Sequence, residues 1–175
     1  MANLIVAKFG GSVLGLDGIS IPEIIKRIIN LKKESKIIAV FSAPLTIHND
    51  KKRSLTDVVL EQGRNAENGI VPNLDIVKST YQKILELVNS ENKEDCKKSI
   101  DLHLQMAQKA LDEALEKKEF VDEVRSRALA FSGEILISHV MNYIIRSNGI
   151  KADAVSFDDW PIITDDNIES TNFLP

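Results

Sequence analysis

Leu4-Ile5-Val6-Ala7-Lys8-Phe9-Gly10-Gly11-Ser12-Val13 is the stretch on which the fold turns. Its first four residues are apolar without a break, as expected for a strand buried on both faces of a parallel sheet. A lysine then stands at the strand's end, followed within a few residues by two glycines and a hydroxyl. Glycines reach backbone angles that side chains forbid, so their N–H groups can turn together toward one anion. Lys8 adds a compact positive charge at the same place. The stretch reads as a phosphate-handling loop, and it also suits a plain turn beside a solvated lysine. It is neither of the two familiar nucleotide patterns. The Walker A lysine follows its glycines, whereas Lys8 precedes them, and Gly10, Gly11 and Gly15 lack the three-glycine dinucleotide spacing.

Working outward, Ser20-Ile21-Pro22-Glu23 has the composition of a helix start, with Ser20 as cap, Glu23 reaching back and Pro22 in the first turn. Ile21, Ile24, Ile25, Ile28 and Ile29 then recur at helical spacing. Lys36 to Ser42 reads as a second strand with Ile37, Ile38, Ala39, Val40 and Phe41 as its apolar body. Strand, helix, strand is a βαβ unit, which makes the chain α/β with a mainly parallel sheet. Ligands of such sheets bind beyond the carboxyl ends of the strands, so Lys8 and Ser42 belong on one rim.

Composition narrows the class. The 175 residues suit one domain, and 43% hydrophobic with 27% charged residues marks a globular chain. A net charge of −4 with mixed signs argues against nucleic acid as the main partner. The single cysteine, Cys96, has no disulfide or metal companion, which fits a reducing cytoplasm. No apolar run in the sequence approaches membrane-spanning length, and the N-terminus lacks a signal-peptide pattern.

Ala43 to Arg53 reads as a loop whose Lys51, Lys52 and Arg53 either steer an anion or are simply solvated. Ser54-Leu55-Thr56-Asp57 opens a helix, with Ser54 or Thr56 as its cap and Asp57 as a first-turn acid. Asn73 to Asn89 is an amphipathic helix through Val77, Tyr81, Ile84, Leu85 and Val88. A polar turn, Ser90 to Asp95, leads to a second helix through Cys96, Ile100, Leu104, Ala107, Leu111 and Leu115, and the two pack as a hairpin. His103 is an ordinary residue of that helix. Phe120 to Phe131 is helical. Gly133 then interrupts the pattern at a cost of about 1 kcal/mol relative to alanine, which suggests a reason such as close approach of a ligand or helix. Glu134 beside it either enters a site or is an exposed acid at a helix junction. Ala152 to Phe157 and Ile162 to Thr164 read as further strands.

Together these residues resemble the N-terminal part of aspartokinases, within the amino acid kinase family. Lys8-Phe9-Gly10-Gly11-Ser12-Val13, Ser42-Ala43, Thr56-Asp57 and Ser132-Gly133-Glu134 match in order, and Ile162-Ile163-Thr164-Asp165 is similar to a fifth motif. The resemblance implies a three-layer αβα fold with a helical insertion at about 73–118. It implies phosphorylation of the L-aspartate side-chain carboxylate by ATP with Mg2+, the opening step toward lysine, threonine and methionine. By the resemblance, Lys8 contacts the terminal phosphates and is the catalytic residue, while Gly10, Gly11 and Ser12 cradle the group in flight. Ser42 and Thr56 hold the substrate, and Glu134 pairs with its α-ammonium.

This sequence departs from the family pattern in carrying Ser12 where threonine is common and a longer, more basic segment between Ser42 and Thr56. By the resemblance, the nucleotide half and the regulatory domains are expected to be missing from these 175 residues, and the polypeptide alone is expected to be inactive. Self-association through an uncovered sheet edge or face is also expected. Two other readings stay open: a non-catalytic amino-acid-binding or assembly module, and a kinase for another acidic substrate such as N-acetylglutamate.

Overall fold

The structure, a computed structural model, describes residues 3–155. Strand β1, Asn3–Phe9, is followed by a single turn of helix, α1, Gly11–Leu14, and then by α2, Ile21–Lys32, and β2, Ser35–Phe41. β1 and β2 pair in parallel, from Asn3 opposite Ser35 to Phe9 opposite Phe41. The fold is helix-rich α/β with a parallel sheet, as the βαβ reading requires. Phe9 and Phe41 close the sheet's inner face with stacked rings, 5.4 Å between centroids.

Two-sided burial of the strands is not observed among the described residues. Phe9, Ala7, Ile37, Ala39 and Phe41 join the core, where β2 meets α2 and the last described helix. Leu4, Val6, Ile38 and Val40 alternate with them and remain exposed. Strand geometry enforces this split, because successive side chains leave on opposite faces.

Helix α2 begins where Pro22 and Glu23 indicate, but Ser20 makes no side-chain cap bond. Its φ of −91° and ψ of 0° differ from the extended backbone that a serine cap uses, and Glu23 pairs instead with Lys26. The segment read as a loop is a β-hairpin, β3, Leu45–His48, and β4, Lys51–Ser54, in antiparallel register. Asn49 and Asp50, both with positive φ, form its two-residue turn. The basic run hid this strand, since lysines are poor strand formers.

Five helices complete the described chain: α3, Leu55–Glu67; α4, Asp75–Leu85; α5, Ser90–Lys117; α6, Asp122–Ser132; and α7, Glu134–Ser147. The apolar stripe of α5 is buried as its spacing indicates, from Cys96 to Ala114. The turn expected at Ser90 to Asp95 is instead the first part of that helix. Asn89 caps it by accepting from the Asn92 N–H at 3.1 Å. α5 packs most extensively on α6, then on α7 and α3, and less on α4. α6 and α7 together, Asp122–Ser147, have the length and apolar content of a membrane span. The break at Gly133 and the buried stripe from Leu136 to Ile145 are those of core helices. Ala152 to Val155 carries no strand pairing, and the rest of that expected strand, with Ile162 to Asp165, lies outside the described residues.

Candidate active site

The glycine loop leaves β1 beside the end of β2, where the Ser42 N–H donates to the Phe9 carbonyl at 3.0 Å. Lys8 is exposed at the end of β1, opposite Val40. Gly10 precedes α1 with extended backbone, and its carbonyl accepts from the Val13 and Leu14 N–H groups at 2.9 and 3.0 Å. Among the described residues, no backbone carbonyl accepts from the N–H of Gly11 or Ser12. Such unspent donors at a first turn suit an anion.

The two glycines serve different needs. A Cβ on Gly11 would lie 2.3 Å from the Ala43 carbonyl oxygen, so only glycine lets the loop lie against the exit of β2. A Cβ on Gly10 would meet nothing within 4 Å, which leaves the mouth of the loop open.

Ala43 is also the meeting point with the other motifs. The chain passes from Ala43 and Pro44 through the hairpin and returns at α3, where the Leu55 N–H donates to the Pro44 carbonyl at 3.0 Å. Ser54 caps α3, its hydroxyl accepting from the Asp57 N–H at 3.0 Å and lying 2.8 Å from the Thr56 hydroxyl. Thr56 therefore stands in the first turn, at the hairpin's base. A Cβ on Gly133 would fall 3.1 Å from Thr56 Cγ2, 3.4 Å from Ala43 Cβ and 2.9 Å from the Leu129 carbonyl oxygen. The close approach inferred from a glycine between two helices is thus present, and beyond the preceding helical turn its partners are Ala43 and Thr56.

Glu134 follows at the start of α7, exposed to solvent, and its Oε1 accepts from the Ala43 N–H at 3.4 Å. The junction behind it is held by Tyr81, whose buried hydroxyl lies 3.0 Å from the Ser132 carbonyl oxygen and 3.2 Å from that of Gly133. Burial, with the Glu134 charge adding to it, raises the Tyr81 pKa well above the ordinary phenol value. Tyr81 is therefore a permanent donor.

Gly11, Ser42, Thr56 and Glu134 are thus gathered around Ala43, with Lys8, Gly10 and Ser12 in the adjoining strand end and loop. The basic cluster is divided. Arg53 is spent on α3, pairing with Glu61 and donating to the Asp57 carbonyl at 3.1 Å, whereas Lys51 and Lys52 are exposed. His48 reaches the same Glu61 at 3.3 Å, and the hydrogen bonds from Arg53 and then His48 hold that carboxyl below its ordinary pKa. Among the described residues, no three His, Cys, Asp or Glu side chains gather as a metal cluster.

Ala43 and Tyr81 carry no polar signal that sequence reasoning detects. Ala43 is a small residue after a strand, and Tyr81 sits in an apolar stripe where an aromatic reads as core.

No curated protein matches this chain. The model of the amino acid kinase family matches residues 3–173. Matched from its first strand to beyond the last described residue, the chain belongs to the amino acid kinase family.

Proposed function

We propose that the protein is an aspartate kinase, in which ATP and the side-chain carboxylate of L-aspartate meet at the Gly10–Ser12 loop. Family membership supports the coarse reading, a kinase of amino acids or related compounds that uses ATP. The single observation that carries the finer one is the convergence on Ala43. Gly11, Gly133 and Glu134 all approach that residue, and Thr56 meets Gly133 beside it, so a phosphate-type loop, hydroxyls and a carboxylate share one rim.

This donor set suits a zwitterion with an additional carboxylate. Glu134 supplies a negative charge for an α-ammonium, and the Ser42 and Thr56 hydroxyls can donate to carboxylate oxygens. The Gly11 and Ser12 N–H groups, given to no backbone carbonyl among the described residues, offset with Lys8 the negative charge that accumulates on the transferred group. ATP, with Mg2+ on its phosphates, supplies the γ-phosphoryl group. The side-chain carboxylate oxygen bonds to its phosphorus as the bond to ADP breaks, giving aspartyl phosphate. On this reading the enzyme opens the route to lysine, threonine and methionine.

The test is calorimetry of L-aspartate and N-acetylglutamate with the wild type and Glu134→Gln. L-aspartate is expected to bind, and Glu134→Gln to weaken it about tenfold or more, since charge-assisted bonds contribute about 1.5–3 kcal/mol. N-acetylglutamate, which has no ammonium, is expected to bind poorly and to be indifferent to the change. Preference for N-acetylglutamate would overturn the reading. Lys8→Ala must also weaken ATP, because a module that only bound the amino acid would have no use for that charge.

A further inference from the structure

Helix α4 reaches both walls of this rim through adjacent residues. On one side stands Asp17, in the loop that directly follows α1. Its Oδ1 accepts from the Thr46 hydroxyl at 2.9 Å and lies 3.1 Å from the Thr80 hydroxyl, and its Oδ2 accepts from Lys83 Nζ at 2.6 Å. Its backbone N–H donates to the Leu45 carbonyl at 2.7 Å. Thr46 and Thr80 are buried, so little water can replace their two bonds to Oδ1, whereas the Lys83 end of the knot is exposed. Asp17 holds a positive φ of 51°, and one residue on, a Cβ on Gly18 would lie 2.8 Å from Ile84 Cγ1 of α4. The loop is thus pressed against α4 at two neighbouring positions.

On the other side stands Tyr81, next in sequence to Thr80. Its hydroxyl is given to the Ser132 and Gly133 carbonyls, immediately before Glu134. α4 thus carries two polar anchors, Thr80 and Tyr81, in its buried stripe. We propose that α4 is a strut setting the separation of the glycine loop from Glu134, with Asp17 and Tyr81 as positioning residues. The inference rests on the aspartate kinase reading for the identity of the ligands, and it concerns residues that touch neither of them. Phosphoryl transfer depends on alignment more than on covalent help, so a fixed spacing of the two walls is what such a rim requires.

The test uses Tyr81→Phe, which keeps the ring, together with Asp17→Asn, Thr80→Val and Thr80→Ser, in the whole protein. Calorimetry with L-aspartate and with ATP and Mg2+ should divide the variants. Tyr81→Phe should weaken L-aspartate about five- to tenfold and leave ATP within about twofold, the scale of one lost hydrogen bond. Asp17→Asn and Thr80→Val should do the reverse, and Thr80→Ser should restore wild-type binding. Amide exchange of the free protein should quicken near Gly133 to Ile137 in Tyr81→Phe, and near Val13 to Gly15 in Asp17→Asn.

Equal weakening of both ligands by every variant, or no change with either, overturns the strut. If the wild type binds neither ligand, the aspartate kinase reading fails by itself. The exchange pattern then decides: quickening confined to those two segments keeps the strut, and uniform quickening overturns it.

Discussion

Val6 and Val140 are the same side chain in two settings: Val6 is 65% exposed on the outer face of β1, while Val140 has no exposed surface in α7. Around Val6, the side chains of Leu4, Ile38 and Val40 are exposed as well. Around Val140, Leu136, Ile137, Met141 and Ile144 are buried with the stripes of α3 and α5. A helix can gather its apolar residues on one face, and that face can be covered completely by its neighbours. A strand with a continuous apolar run must divide them between two faces, and here the described helices cover one. Apolar content therefore reports burial in the helical body and overstates it in the sheet.

Truncating each valine tests that contrast. Val140→Ala should cost about 2–3 kcal/mol, the lost transfer energy plus a cavity. A thermal melt should show it as a drop of roughly 5–10 °C for a domain of this size.

Gly63→Ala, also in the helical body, should cost less. A Cβ there would meet the Phe120 ring at 2.1 to 2.5 Å. The overpacking penalty of about 1–3 kcal/mol is partly offset by a gain of about 1 kcal/mol in helix propensity. A net loss of up to about 2 kcal/mol in denaturant melts is expected, and Phe120→Leu should relieve part of it. A stabilised Gly63→Ala would mean that the Phe120 ring moves aside from α3 at little cost.

Acid should weaken the same body through His139, whose ring lies 4.7 Å from that of His103. Burial first, and His103 second, lower the His139 pKa from its ordinary value of 6.5. The unfolded chain then binds the proton more readily, so the histidine's contribution is complete above about pH 6.5 and declines as pH falls toward the folded pKa. His139→Phe should flatten that part of a stability-against-pH curve, and an unchanged slope would assign it elsewhere.

Val6→Ala should have the smallest effect, within about 0.5 kcal/mol, because little surface is uncovered by the change. A loss as large as that of Val140→Ala would show that the outer sheet face is covered in solution, and the contrast would break.

The legible parts of the molecule were those set by short periods. The isoleucines of α2, the stripe of α5 and the apolar run of β2 each declare an element within a few residues. The four motifs marked Lys8, Gly10, Gly11, Ser12, Ser42, Thr56 and Glu134 as candidates before any geometry was known. The hairpin escaped because Lys51 and Lys52 project from it exposed and contribute no apolar alternation. The Ser20 cap was misread because serine's preference for a helix start says nothing of its backbone angles, which the Gly15–Gly18 loop imposes.

By itself the sequence determined the βαβ opening, the helical stripes and the fact that Gly11 and Gly133 are special. Those rest on spacings of two to four residues, which any chain of this order carries with it. Only the tertiary structure decided why each glycine is special, that Ala43 is their common neighbour, and that α4 reaches Asp17 through Thr80 and Lys83 and the Ser132 and Gly133 carbonyls through Tyr81. The bonds that matter there join residues 63 and 51 positions apart. No local period encodes such pairings; they exist because burial brings distant polar groups together, where each must find a partner.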